Sequence, residues 1–248
     1  MNQIRYTRQT SIPQIGISGQ KILANAKVLI AGAGGLGSIS SYYLAAAGIG
    51  TLIVVDNDTV DFSNLNRQII HSEADIGKPK AFSAAQSLEQ LNSSIRIQPV
   101  NVEITDTTIA PLLKHVDVIV DACDNIKTRH VLNRASLKKG IPYVFGGVDG
   151  FNGMASTFIP GETPCFKCLF PNEERRQSTP GIIGPVAGII GSLQAMEVIK
   201  LLLNIGKNLS HHLFRISGLD MRITNTPLER HLDCPACRGS FIKKEMSV

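Results

Sequence analysis

Four cysteines form two CxxC pairs that could hold a metal ion. Cys165 and Cys168 flank Phe-Lys, and Cys234 and Cys237 flank Pro-Ala. A tetrahedral zinc site takes four thiolates, and each CxxC spacing lets two of them share one tight turn. Disulfides and a redox CxxC are the competing interpretations, but no secretory signal precedes the pairs and neither follows a thioredoxin-like strand. The spacing therefore favours a structural zinc module built from residues 160–171 and 231–239.

A glycine-rich turn could bind phosphate groups. Gly32, Gly34, Gly35 and Gly37 lie between an apolar run and a helical pattern. Glycines allow a tight turn and let backbone N–H groups approach phosphate oxygens at the start of a helix. Asp56 ends the next apolar run, where a carboxylate can accept hydrogen bonds from ribose hydroxyls. Taken alone, these residues favour a NAD-dependent dehydrogenase.

The polar residues that follow Asp56, as far as Gln68, and two later residues change that interpretation. A nicotinamide ring needs an apolar pocket, whereas Arg67, Lys80 and Asp124 near strand ends suit a triphosphate and its magnesium ion. Each has a simpler explanation: Arg67 in a loop salt bridge, Lys80 on a solvated helix face, and Asp124 as a helix N-cap. Their combination at one edge of a sheet favours an ATP site.

Alternating apolar strands and helical segments must position these residues. Helices are predicted over residues 36–47 and 78–91 and before Lys139, and strands over 27–31, 51–55, 95–100, 116–121 and 141–145. Right-handed crossovers between such strands build a parallel sheet with helices on both faces. The sequence therefore predicts an α/β fold, a Rossmann-like doubly wound, mainly parallel sheet.

The pattern changes after Gly146. Residues 154–159 and 213–216 predict strands that form an antiparallel extension of the sheet. The polar loop over 171–180 is expected to cover or feed an active site, because long loops without a function are uncommon. The uncharged stretch over 177–196 is interrupted by glycines and prolines, so it predicts a buried helix rather than a membrane span.

These motifs together resemble the MoeB/ThiF/HesA family of adenylyltransferases, relatives of the ubiquitin-activating enzymes. The resemblance runs from the Arg5–Gln9 segment to Cys237, nearly the whole chain. It implies a single adenylating domain over residues 1–248. It also implies that ATP is bound by the glycine turn and by Asp56, Asp58, Ser63, Asn64, Leu65, Asn66, Arg67, Gln68, Lys80, Asp124 and Asn125.

The resemblance implies a specific reaction. The C-terminal glycine carboxylate of a ubiquitin-like sulfur-carrier protein with a Gly-Gly tail would attack the α-phosphate of ATP, giving an acyl-adenylate and pyrophosphate. Arg67, Lys80 and a magnesium ion on Asp124 would stabilise the developing charge. The arginine that matches Arg8 enters the site of the other subunit in this family, so a homodimer is expected.

Several alternatives stay open at this point. The carrier could serve molybdopterin or thiamine biosynthesis, and a peptide precursor or a tRNA base carboxylate could be activated instead. A nicotinamide- or flavin-dependent oxidoreductase and a non-catalytic zinc-bearing scaffold are the other classes. The sequence does not choose the substrate, because a groove for a flexible tail leaves no sharp motif.

The fifth cysteine, Cys123, is expected to pack in the core, since cysteine is often fully buried. Some relatives carry a catalytic cysteine before the long helix. Matching residues 181–185 to the family pattern places that position at Gln177. The sequence therefore favours adenylation without covalent transfer to a thiol.

Composition and charge exclude several other classes of protein. Hydrophobic residues make up 43% of the 248 residues and charged residues 18%, as expected for a globular protein. The net charge of +5 is not gathered into runs of like charge, so no nucleic-acid partner is expected. With no signal core and no membrane contact expected, the cytoplasm is the predicted compartment.

Overall fold

The computed structural model describes residues 3–172 and 181–238, and these contain eight strands. The strands are β1 Lys27–Ala31, β2 Thr51–Val55, β3 Arg96–Val100, β4 Val118–Asp121, β5 Tyr143–Asp149, β6 Asn152–Phe158, β7 His212–Ser217 and β8 Arg222–Pro227. The helices are α1 Thr7–Thr10, α2 Gly16–Asn25, α3 Gly35–Ala47, α4 Lys80–Leu91, α5 Asp106–Leu112, α6 Ile126–Lys139, α7 Phe166–Leu169 and α8 Gly184–Leu203. Short 3-10 helices cover Gln3–Tyr6, Phe62–Asn64 and Glu73–Asp75.

All eight strands join one sheet in the order β3-β2-β1-β4-β5-β6-β7-β8. Strands β1 to β5 run parallel, and β6, β7 and β8 continue the sheet in antiparallel pairs. The predicted Rossmann-like sheet and its antiparallel extension are confirmed. Strand β8 was not predicted from the sequence, because all six of its residues are exposed and so show no apolar alternation.

Helices cover both faces of the parallel strands. Alternate residues of a strand point to opposite faces, so Ile30 packs in one apolar cluster with Leu44 of α3 and Val198 of α8. Leu29, the residue before it, packs in a second cluster with Leu132 of α6. Strands buried on both faces read as continuous apolar runs, which is why the sequence revealed them clearly.

The sheet order reverses between β1 and β4, which both pair with their neighbours in parallel. In a doubly wound sheet, the loops after two such strands lead to opposite faces and leave a crevice between them. The glycine turn follows β1, and the segment with Asp124 follows β4. The topology therefore brings the predicted nucleotide-binding residues to the same edge of the sheet.

Helix α8 is long and apolar enough to span a membrane by length and composition alone. Ile190 and Val198 on this helix are fully buried in the protein. Gln194 and Glu197 are also buried, and they hydrogen bond to Asp121 and Thr157 of the sheet. These contacts explain the apolar character of α8 as that of a core helix.

Candidate active site

The glycine turn after β1 is shaped for close backbone approach. Gly32 has a φ of +102°, which favours glycine because other residues are strained there. A Cβ on Gly37 would lie only 1.9 Å from the Gly32 carbonyl oxygen, so position 37 also requires glycine. Gly34 is the N-cap of α3, and Gly35 is its first residue. The first N–H groups of α3 have no carbonyl partner within the helix and can bind an anion.

Asp56 lies beside the glycine turn, as predicted. Its Oδ2 atom accepts a hydrogen bond of 2.7 Å from the Ala33 N–H, and its Oδ1 atom accepts one of 2.8 Å from the Asp58 N–H. Burial raises the pKa of Asp56 above its ordinary value, while the two N–H donors lower it. Each carboxylate oxygen keeps a further lone pair, so the group can still accept hydrogen bonds from ribose hydroxyls.

Lys80 is the first residue of α4 and is only 6% exposed. Its Nζ atom lies 2.9 Å from Oδ2 of Asp58, whose side chain is 62% exposed. The interpretation of Lys80 as a solvated helix residue is therefore wrong. A buried ammonium paired with an exposed carboxylate at the edge of the crevice is placed to contact an anionic ligand.

The polar segment over 63–68 folds into a turn that brings Arg67 next to the glycine turn. A Cβ on Gly35 would lie 3.7 Å from Cγ of Arg67. The Arg67 guanidinium donates hydrogen bonds to the Ser63 carbonyl at 3.0 Å and to Oδ1 of Asn66 at 2.9 Å. No carboxylate in the described part of the chain forms an ion pair with Arg67. This argues against the alternative that Arg67 forms a salt bridge within a loop.

Asp61 and other members of the polar segment stabilise the turn itself. Asp61 accepts hydrogen bonds from the N–H and the hydroxyl of Ser63, at 2.8 Å and 2.5 Å. The Asn64 side chain accepts the Asp61 N–H and completes a capping box. Leu65 is half-buried, while Gln68 is buried beside Gly34. The Ser63 and Asn64 side chains thus shape the segment from within.

Asp124 and Asn125 lie directly after β4 and are both exposed. The N-cap of α6 is Asn125, whose Oδ1 atom accepts the Thr128 N–H at 2.8 Å. The alternative that Asp124 caps this helix is therefore wrong. Asp124 accepts only a weak hydrogen bond of 3.3 Å from the Asn125 amide, which leaves its carboxylate available to a metal ion.

A buried network below Asp124 was not predicted from the sequence. The Asp121 carboxylate is fully buried and accepts hydrogen bonds from the Tyr143 hydroxyl at 2.5 Å and from the Cys123 N–H at 2.9 Å. Arg129 lies 3.5 Å from the same carboxylate and donates to the carbonyls of Cys123 at 2.6 Å and Gly146 at 3.0 Å. This network fixes the backbone that carries Asp124. An aspartate at the end of a buried strand is the sequence signal that could have revealed it.

Arg8 lies in a segment that packs at the C-terminal end of α3. Its neighbour Gln9 donates to the carbonyl of Ala47, the last residue of α3, and Tyr6 packs against Gly48 just after it. The glycine turn is at the other end of this 13-residue helix, about 20 Å away at 1.5 Å per residue. The segment that carries the exposed Arg8 is therefore anchored at the end of α3 opposite the glycine turn.

The four cysteines of the two CxxC pairs come together, as predicted. Their Sγ atoms all lie within 4.8 Å of one another, with neighbouring separations of 3.9, 3.8 and 3.6 Å. A tetrahedral zinc ion with Zn–S bonds of about 2.3 Å requires S···S separations of about 3.8 Å. The four thiols therefore fit zinc. Residue 239 of the predicted module lies outside the described part of the chain.

The comparison with known proteins gives the family. Residues 6–236 match the ThiF family, which is most of the chain. The chain belongs to the ThiF family. The resemblance proposed from the sequence is thereby confirmed.

Relatives of this ThiF-family chain are similar over nearly their full length. The sulfur carrier protein ThiS adenylyltransferase of Escherichia coli is 37% identical over 241 residues, covering 96% of each chain. The sulfur carrier protein adenylyltransferase of Thermus thermophilus is 38% identical and covers 98% of this chain and 93% of its own. The SAMP-activating enzyme E1 of Haloferax volcanii is 39% identical, and the match covers 94% of this chain and 88% of that enzyme. The predicted class of enzyme, an adenylyltransferase, is confirmed.

Solved structures of E. coli MccB share the fold of this ThiF-family chain. MccB with ATP superposes with a TM-score of 0.82 at 28% identity, covering 94% of this chain and 74% of MccB. MccB in complex with N-formylated MccA superposes with a TM-score of 0.84 at 26% identity, covering 95% of this chain and 75% of MccB.

A cavity of about 580 Å³ opens next to the polar segment of the ThiF-family fold. It is lined by Asn66, by the β5–β6 turn at residues 149–151, and by residues 181–185 at the start of α8. The Gly150 N–H donates to the Gly181 carbonyl at 2.7 Å, and this fixes the chain where α8 begins. The cavity is thus bordered by the polar segment, by the β5–β6 turn and by the start of α8.

Cys123 is packed as expected for a structural thiol. It is 8% exposed, and its Sγ atom donates to the Ala31 carbonyl at 3.4 Å. Burial raises the pKa of this thiol well above its ordinary value, so it is not a thiolate at neutral pH. Gln177, the position where some relatives have a catalytic cysteine, lies outside the described residues.

Proposed function

We propose that this chain is an ATP-dependent adenylyltransferase that activates the C-terminal glycine carboxylate of a ubiquitin-like sulfur-carrier protein. The observation that carries the proposal is the joint placement of the glycine turn, Asp56, Arg67 and Lys80 at the crevice of a ThiF-family fold. Near-full-length relatives named as sulfur carrier protein adenylyltransferases support the substrate class.

The residues of the crevice have separate roles in this proposal. The N–H groups at the start of α3 bind phosphate oxygens, and Asp56 binds the ribose. Arg67 and Lys80 stabilise the negative charge that increases as the carboxylate attacks the α-phosphate. Lys80 exchanges its ion pair with the exposed Asp58 for the phosphates, which are a more highly charged partner.

Magnesium fits the same site. Mg²⁺ in nucleotide enzymes is held by one or two carboxylates together with substrate phosphates, and it neutralises charge on the transferring group. Asp124 offers an exposed carboxylate at the end of β4, on a backbone that the Asp121–Arg129 network fixes. We assign Asp124 as the protein ligand of this ion, and Asn125 as the cap that orients the following helix.

A homodimer is part of the proposal. Because Tyr6 and Gln9 anchor the segment that carries Arg8 at the end of α3 opposite the glycine turn, about 20 Å along the helix axis, we propose that Arg8 acts at the phosphates of a partner subunit. Helices α2, α3 and α8 also expose large apolar side chains that a partner would bury: Ile17, Ile22, Tyr43, Ile189 and Met196. The dimer would thus complete each active site.

Zinc is proposed as the ion of the four-cysteine site. Hydrogen bonds from neighbouring thiols lower the pKa of Cys237, while the pKa values of Cys165 and Cys168 are raised, as expected when several thiols share one small site. Asn133 of α6 donates to Cys165 Sγ at 3.7 Å and accepts the Phe166 N–H at 3.0 Å. The ion would therefore join the C-terminal segment to α6 and α7, and its role is structural.

A second candidate substrate is the terminal carboxylate of a free peptide. It is supported by the TM-score of 0.84 with the microcin C7 biosynthetic enzyme MccB in complex with N-formylated MccA. The cavity of about 580 Å³ beside Asn66 would accept an extended chain of either origin.

ATP–pyrophosphate exchange tests the proposal. Purified chain with Mg²⁺ and ATP is given a ubiquitin-like carrier ending in Gly-Gly, the same carrier without its last glycine, or a short peptide. Exchange only with the intact carrier is expected. Exchange with the peptide alone would favour the second candidate. No exchange with any carboxylate, together with no binding of ATP, would refute adenylation.

A further inference from the structure

Both polar backbone groups of Ala33 in the glycine turn are held by side chains. The Ala33 N–H donates to Asp56 Oδ2 at 2.7 Å, and the Ala33 carbonyl lies 3.0 Å from Nε2 of His71. Ala33 and His71 are 2% and 6% exposed, so water does not compete for these hydrogen bonds. His71 lies just after the polar segment, and the proposed function assigns no role to it.

The contacts of His71 determine which ring nitrogen carries the proton. A carbonyl oxygen can only accept, so Nε2 must be protonated to donate to Ala33. Nδ1 is then an acceptor, and it lies 2.8 Å from the Ser83 hydroxyl, which can donate to it. Burial lowers the pKa of His71, which agrees with a neutral ring. The imidazole therefore connects Ser83 of α4 to the glycine turn.

Fixing the Ala33 carbonyl also fixes the next N–H group. In a trans peptide the C=O and the following N–H point in opposite directions, and the described chain has no cis peptide. Holding the Ala33 carbonyl against His71 thus directs the Gly34 N–H away from the buried ring. Among the described residues no acceptor pairs with this N–H, so it is available to a ligand.

We propose that His71 is a positioning residue that sets the orientation of the Ala33–Gly34 peptide and so directs the Gly34 N–H at a phosphate oxygen of ATP. The proposal rests on ATP binding at the glycine turn, which is part of the proposed function. His71 touches no reacting atom. It acts through the backbone and should affect phosphate recognition but not recognition of the nucleoside.

The test compares the affinities of ATP and adenosine in two variants. His71→Leu removes the donor, whereas His71→Gln keeps an N–H at a position similar to that of Nε2. We expect about tenfold weaker ATP binding by calorimetry in His71→Leu. Adenosine binding, measured by competition, should stay within about twofold, and His71→Gln should recover most of the ATP affinity. Ser87→Ala is the matched control, because it removes another hydrogen bond from α4, to the Ile70 carbonyl, without changing His71.

Three results would overturn this inference. They are unchanged ATP affinity in His71→Leu, an equal loss of ATP and adenosine binding, or no recovery in His71→Gln. If His71→Leu does not fold, nitrogen NMR of the unaltered protein decides, because a charged ring or an Nδ1–H tautomer at neutral pH would contradict the geometry. Failure of the unaltered protein to bind ATP would instead refute the proposed function.

Discussion

The buried pair of Asp121 and Arg129 gives a prediction whose magnitude follows from the structure. The Asp121 side chain is fully buried, and that of Arg129 is 15% exposed. Arg129→Met keeps the apolar stem but leaves the Asp121 carboxylate with only the Tyr143 hydroxyl and the Cys123 N–H as partners. Removing one member of a buried ion pair destabilises proteins by about 3–5 kcal/mol. We expect a loss of this size for Arg129→Met.

Urea unfolding at neutral pH measures this loss, and a second arginine of α6 gives a matched control. Arg134 pairs with Asp106 at 2.8 Å, but both side chains are exposed, at 44% and 63%. Exposed pairs contribute at most about 1 kcal/mol, so Arg134→Met should be much milder than Arg129→Met. Equal effects of the two substitutions would show that the burial of the Asp121 pair has no energetic consequence.

The pairwise nature of the effect can be tested with Asp121→Asn. In the double variant with Arg129→Met no buried charge remains, so its loss should be smaller than the sum of the single losses by about 1 kcal/mol or more. Additivity within about 0.5 kcal/mol would refute the pairing.

The pH dependence gives a further check on the same pair. Burial raises the pKa of Asp121, and Arg129 lowers it, so removing Arg129 should raise it further. A folded-state pKa above the unfolded value means that stability is highest at low pH and is lost as the pH rises through the folded pKa. Arg129→Met should therefore lose more stability, relative to the unaltered protein, as the pH rises from 4 toward 8. A constant difference across this range would contradict the assignment.

Three other predictions concern catalysis, assembly and the metal. Lys80→Ala should lower pyrophosphate exchange about a hundredfold, equivalent to about 3 kcal/mol in the transition state, and exchange within threefold of the unaltered protein would refute its role. Inactive Arg8→Ala mixed with inactive Asp124→Ala should regain activity, because a hybrid dimer has one intact site; no recovery after confirmed subunit exchange would mean that Arg8 does not act across subunits. Cys168→Ser should lose zinc by metal analysis and lower the melting temperature. Cys123→Ser should keep zinc and lower the free energy of unfolding by only about 1 kcal/mol. The reverse pattern would contradict the four-cysteine site.

The parts of the site that follow directly after strands were predictable from the sequence. The glycine turn, Asp56 and Asp124 each end an apolar run, and parallel strands must place their carboxyl ends at one edge. The CxxC spacing likewise specified a four-thiol site, since each pair already holds half of a tetrahedron. Arg67 and Lys80 were selected by residue type and position in the chain. Their contacts with Gly35 and Asp58 were not predictable in this way.

The sequence alone determined the class of fold, the family and the candidate ligands, because these depend on local pattern and spacing. Only the tertiary structure decided which buried polar groups support the site, because Asp121 meets Arg129, and His71 meets Ala33, through side-chain directions that spacing does not encode. Only the structure also placed Arg8 at the far end of α3, since Tyr6 packs on Gly48 across a separation that no local signal specifies. Long-range packing of the N-terminal segment thus determines at which end of α3 Arg8 lies, and the proposed role of Arg8 in a partner subunit depends on that placement.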